Sequence, residues 1–253
     1  MNKISVSNIL LMVFATVVVL SSCSKNDDDV NPIPADVQPV IVLNHTIGQE
    51  TVVFDTIKYS NNFGNVYSVA TLKYFISDFT FHKSDGTEVK IDEEYYVDGR
   101  ENSTINYTPM VKIPAGDYSS VSFTFGIDST KNKTGRYTNP PESNMEWPIP
   151  MGGGYHYMKF EGKFNRNDTI KNFQCHLGPT MGNPNYFEVT LANSSFTASG
   201  NEVKITIQMN LNNWFGSPHV MDLNDITGIM GNQQIQLMLK ANGVNVFSLK
   251  SIE

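Results

Sequence analysis

The sequence predicts a mainly β fold: an antiparallel β-sandwich with one short C-terminal helix and one long irregular loop. Three observations lead there. Short apolar or alternating runs recur from Val40 onward, clusters of turn-forming residues separate them, and apolar residues at helical spacing occur once, late in the chain. The chain shows no internal repeat and no strand–helix alternation of the kind that builds a parallel sheet.

Taken in order, Val40–Leu43 and Thr51–Phe54 are the first two strand candidates. Tyr67–Phe81 is long, aromatic and β-branched, and the turn Ser84-Asp85-Gly86 closes it. A second turn, Lys112–Tyr118, feeds Ser119–Gly126, where Val121, Phe123 and Phe125 share one face. Tyr155–Gly162 alternates again, with Tyr155, Tyr157 and Lys159 opposite His156, Met158 and Phe160. Tyr186–Leu191 and Val203–Leu211 follow as strands. Asn232–Asn242 carries Ile235, Met238 and Leu239 at helical spacing, with Gly243 in the place of a C′ glycine, and Val244–Leu249 reads as a terminal strand. Lys131–Gly154 fits no strand. It holds Pro140, Pro141, Pro148, Pro150 and Gly152–Gly154, yet also Met145, Trp147 and Met151, and a long irregular segment that spends such residues is a functional candidate.

The first 39 residues read as an address. Lys3 supplies a positive start, Ile9–Leu20 is an apolar run too short to span a membrane, and Leu20-Ser21-Ser22-Cys23 matches a lipobox. Residues 1–22 are therefore expected to be a lipoprotein signal peptide. Residues 23–39 are expected to be a lipidated Cys23 with a flexible tether, and residues 40–253 the domain. Lysine and an acidic run after the cysteine (Ser24–Asp29) resemble a surface-export signal. The expected location is the outer membrane of a gram-negative bacterium, facing the periplasm or the surface, with the membrane as partner through the lipid anchor.

Hydrophobic residues make up 40 % of the chain, with 15 Phe and 11 Tyr, enough for a substantial core. A formal charge of −7 and the lack of a basic stripe argue against nucleic acid as a partner. With Cys23 reserved for lipid, Cys175 has no intramolecular disulfide partner. Catalytic motifs are missing: there is no G-x-S-x-G elbow, H-E-x-x-H helix or phosphate loop, and Glu93-Glu94 lie on a polar stretch that reads as surface. The expectation is a protein that is not an enzyme.

Metal chemistry has more support. Five histidines (His45, His82, His156, His176 and His219) stand apart in sequence, so any site must be assembled by the fold. Imidazole suits copper or zinc, and 11 methionines add thioethers suited to Cu(I), although methionine also fills cores.

Several short blocks then stand in a telling order: Asn44–Gly48, Tyr59–Gly64, Lys73–Asp78, Ile113–Tyr118, Phe125–Asp128, Asn144–Trp147, Gly154-Tyr155, Lys159–Gly162 and His176-Leu177-Gly178. Together they resemble the MbnP-like family, named for a methanobactin-associated periplasmic copper protein, from about Val40 to the C-terminus. The resemblance implies a β-sandwich in the cell envelope whose histidines hold Cu(I) beside a tryptophan oxidised to kynurenine. It also implies a di-haem peroxidase-type partner that performs the oxidation. By position, His45 falls in the early histidine block, Trp147 in the Met-x-Trp block and His176 in the His-Leu-Gly block. This chain departs from the pattern at Ile149, where the family usually has a second tryptophan, and in the glycines that lengthen the approach to Tyr155. His156 could compensate as an extra ligand. Trp214 and His219 form a further aromatic–histidine pair, explained as well by a loop at the sandwich edge.

The leading expectation is a copper-binding envelope lipoprotein, acting in metal acquisition or handling, with ligands His45, His176 and a modified Trp147, joined by His156. The rival is a surface module binding glycan or protein through exposed Trp147, Tyr137 and Tyr155.

Overall fold

The computed structural model describes residues 35–253. Cys23, the signal segment and most of the tether lie outside the described residues. Fourteen strands and one α-helix are present among them, with six short 3-10 turns. The strands are β1 (Gln38–Ile47), β2 (Glu50–Thr51), β3 (Tyr59–Ser60), β4 (Val66–Tyr67), β5 (Thr71–Lys83), β6 (Glu88–Asp98) and β7 (Asn106–Tyr107). They continue with β8 (Gly116–Phe125), β9 (Met158–Arg166), β10 (Thr169–Leu177), β11 (Phe187–Thr190), β12 (Phe196–Ala198), β13 (Glu202–Asn210) and β14 (Phe247–Ile252); helix α1 is Gln233–Gly243.

Two sheets form the sandwich. One runs β14-β13-β1-β2 with β7 also on β1. The larger runs β11-β8-β5-β9-β4-β3, with β6 on β5, β10 on β9 and β12 on β8. The thirteen-residue β5 makes this possible, because its first half pairs β9 and its second half pairs β8. All named strand pairs are antiparallel except β1 and β13, which run parallel over nine residue pairs from Gln38↔Glu202 to Thr46↔Asn210. Helix α1 lies between β13 and β14, which pair antiparallel.

Aromatic residues join the two sheets. Phe247 of β14 meets Phe123 and Phe125 of β8 at ring-centroid distances of 5.3 Å, and Tyr107 of β7 meets Phe79 of β5 at 5.9 Å. Cys175 is buried and free, so this packing carries the stability, each fully buried large apolar side chain contributing roughly 1.5–3 kcal/mol.

Several sequence expectations shift. The Tyr67–Phe81 run is two strands, broken between Tyr67 and Thr71, and of the second candidate, Thr51–Phe54, only Thr51 lies in a strand. Glu93 and Glu94 lie on β6; Glu93 accepts from the Tyr107 hydroxyl, and Glu94 is paired with Arg136, its side chain only 9 % exposed. Gly243 ends α1 without a left-handed φ, since the cap is Val244. It is a packing glycine: a Cβ there would stand 2.2 Å from Phe187 Cζ.

Candidate metal centre

Register decides which face of the large sheet each side chain occupies. Tyr74 of β5 is opposite Met158 of β9, which is opposite Leu177 of β10, and all three are fully buried in the inter-sheet core. One residue over, Lys73, Lys159 and His176 are aligned across the same three strands. Side chains alternate along a strand, so this second row, with Glu161, faces away from the core.

The irregular segment covers that outer face. Tyr137 stacks on Phe75, two residues from Lys73, at 5.5 Å and 10°, and the Lys159 ammonium donates to the Asn144 carbonyl at 2.7 Å. The segment is held by side chain to backbone bonds. Asn132 exchanges hydrogen bonds with the Tyr155 backbone, and Gly154 N–H donates to the Thr134 hydroxyl. Gly152–Gly154 all have positive φ, and a Cβ on Gly152 would fall 2.5 Å from the Gly182 nitrogen and the Pro179 oxygen. The glycine run thus lets the segment double back against the turn after β10.

This arrangement buries Trp147 completely. Its indole N–H donates to the Met151 carbonyl at 3.1 Å. The indole stands edge-on to His156 with ring centroids 4.7 Å apart, and His156 stands edge-on to His176 at 4.9 Å. The structure therefore brings together Trp147, His156 and His176.

Hydrogen bonding fixes the state of His156. The Met145 carbonyl accepts from both the His156 backbone N–H at 2.7 Å and ring Nδ1 at 2.9 Å. A carbonyl can only accept, so Nδ1 carries the proton and Nε2 is a bare lone pair. That Nε2 is buried and has no hydrogen-bond partner. Burial first, then the charges of Lys159 and His176, push the imidazole pKa down to about 3, so the ring is neutral at ordinary pH. His176 Nε2 bonds the Glu161 carboxylate at 2.7 Å. That bond is the main reason the Glu161 carboxyl is held below its usual range.

His45 is not brought to this cluster. It alternates inward on β1 with Ile41 and Leu43, and its Nε2 bonds the Tyr74 hydroxyl at 2.8 Å. Tyr74 belongs to the core-facing row and His176 to the outer row, so the sheet itself separates His45 from His176. His45 instead borders a cavity of about 350 Å³ with Phe54 and Arg100. His82 is engaged by Ser122 and Glu88, and Trp214 packs on Phe125 in the core. Buried Trp147 and Tyr155 do not form an exposed platform for a sugar ring.

The MbnP family model matches residues 37–235. The chain belongs to the MbnP family. Among solved structures, MbnP from Methylosinus trichosporium is similar at a TM-score of 0.53 and 12 % identity, covering 74 % of this chain and 81 % of that one. At that identity the likeness shows a shared fold. No curated protein sequence matches this chain. MbnP membership suggests a methanobactin-associated, copper-related role for this family member.

Among the described residues, no group of three or more His, Cys, Asp or Glu side chains is arranged to hold a metal ion. The donor set here is smaller: a buried imidazole nitrogen without a partner, beside a second imidazole. Such a set fits a soft ion of low coordination number better than zinc, which takes four ligands. Glu161, within the Lys159–Gly162 block, was given no role by sequence reasoning. The signal it lacked was the β9–β10 register, which sets Glu161 two residues along β9 from Lys159, the partner of His176, and so on a shared face with His176.

Proposed function

We propose that this MbnP-family protein binds Cu(I) through His156 and His176 beside Trp147, as an envelope lipoprotein of metal acquisition or handling, without turnover of its own. The observation that carries this reading is His156 Nε2, buried, neutral and unpartnered. An orphaned buried acceptor costs about 1–3 kcal/mol, a cost that a bound cation would remove. Metal-binding histidines commonly give their other ring N–H to a carbonyl or carboxylate, as His156 and His176 do to Met145 and Glu161. Copper would supply a soft electrophilic centre; the chain supplies two imidazole nitrogens, that of His156 buried.

Trp147 is the indole at this site, and its contact with His156 favours it as the tryptophan open to oxidation by a di-haem partner. Conversion to kynurenine would place an aniline nitrogen and a carbonyl where an indole, a poor ligand, now sits. Intact-mass and peptide analysis of protein from its native host tests this by the gain of one oxygen and loss of one carbon at Trp147. Anchoring through Cys23 rests on the lipobox sequence.

The direct test is anaerobic Cu(I) competition titration of wild type, His156→Ala and His176→Ala. One high-affinity equivalent in wild type, lost in both variants, is expected. Unchanged affinity in both would overturn the reading.

A further inference from the structure

We infer that Glu161 is a positioning residue for this site: its carboxylate selects the Nε2–H tautomer of His176 and so presents Nδ1 as the bare donor. The inference rests on the copper reading above but concerns an atom-level feature of the metal-free protein.

Its basis is geometric. Glu161 and His176 are on antiparallel neighbours, with Glu161↔Gln174 and Lys159↔His176 as the paired positions, so their side chains are diagonal neighbours on the outer face. The 2.7 Å contact joins Nε2 to Oε1. An ionised carboxylate only accepts, so the hydrogen of a neutral His176 ring is on Nε2 and the lone pair on Nδ1. Thr71 is opposite Glu161 on β5, and its side chain also helps to hold the Glu161 carboxyl below its usual range. The backbone around His176 is fixed as well. Fully buried Gln236 of α1 donates to the His176 carbonyl at 2.7 Å and accepts from Gly178 N–H at 3.1 Å.

The consequence is a pair of imidazoles in opposite tautomers. Met145 leaves His156 with a bare Nε2; Glu161 leaves His176 with a bare Nδ1. Because His156 Nε2 receives no hydrogen bond, His176 does not donate to it. Neither ring has to change tautomer before accepting a cation. An ionised carboxylate behind one ligand also raises that ligand's basicity and offsets part of the incoming positive charge.

The test combines two measurements on wild type, Glu161→Gln and Glu161→Ala. Long-range proton–nitrogen NMR of metal-free protein at mildly alkaline pH reads each ring's tautomer. Wild type is expected to show Nε2–H at His176 and Nδ1–H at His156. Glu161→Ala should lose the His176 preference while His156 keeps its signal, which also reports an intact fold. Glu161→Gln retains an acceptor oxygen and should largely restore the tautomer. Cu(I) titration should then fall about 10–100-fold in Glu161→Ala, with Glu161→Gln intermediate. An Nδ1–H tautomer at His176 in wild type, an unchanged tautomer in Glu161→Ala, or an unchanged Cu(I) affinity there would each overturn the inference. Failure of wild type to bind Cu(I) at all would instead overturn the copper reading, and the tautomer data identify that case.

Discussion

Gly178 lies so close beneath the Trp147 indole that a Cβ on it would stand 2.3 Å from Cε3 and 2.4 Å from Cζ3. Nothing larger than hydrogen fits at that position while Trp147 stays where it is. The Gly178 backbone cannot easily yield either, because Gln236 holds its N–H and Asn185 its carbonyl. Gly178→Ala is therefore expected to displace the indole, destabilise the protein by about 1–3 kcal/mol and weaken copper binding. Urea unfolding and Trp147 fluorescence check this; a variant with wild-type stability and emission would show that the indole has room to spare.

The buried His45 gives a pH dependence separate from the metal site. Its pKa is held from 6.5 down to about 4, mainly by burial, against an opposing pull from Asp98. Between those values the unfolded chain binds a proton that the folded protein does not, so stability rises with pH across that window and falls as pH drops through it. Below about 4 both states are protonated and the loss is complete, amounting to roughly 3 kcal/mol. His45→Gln, which keeps a partner for the Tyr74 hydroxyl, should remove this part of the slope. Denaturant unfolding across the window reads it, and identical slopes in the two proteins would contradict the assignment.

Both tryptophans are buried, but only Trp147 touches the histidine pair. Cu(I) added to Trp214→Phe is expected to quench the remaining emission nearly as strongly as in wild type, whereas Trp147→Phe should lose most of the response. Equal quenching in both would place the metal away from Trp147.

Anchoring is tested independently of copper. Cells fed a labelled fatty acid should incorporate it into the wild-type chain and not into Cys23→Ser, which should fractionate away from membranes. Label retained by Cys23→Ser would contradict acylation at that residue.

Much of the fold was legible because it follows from local pattern. The alternation Val121-Phe123-Phe125 marks a strand, and Ile235-Met238-Leu239 marks the helix, since each pattern matches one period. What escaped depends on pairing between distant segments. Thr169–Leu177 opens with four exposed residues, so the hydrophobic signal for β10 is confined to its last few positions. Without that strand, the alignment of Lys73, Lys159 and His176 cannot be read, nor the contact of His176 with Glu161. The parallel pairing of β1 with β13 is equally silent in sequence, because it joins residues more than 160 positions apart. The candidate site was legible in part. Trp147, His156 and His176 share a site, while His45 matches a family block and yet points into the core, because a block of sequence records position along the chain and not the face of a sheet.

Copper-edge anomalous diffraction from crystals equilibrated anaerobically with Cu(I) bears most directly on this account. A single strong peak between the rings of His156 and His176, beside residue 147, is the expected result. A peak at His45, or on any surface away from these rings, would contradict it.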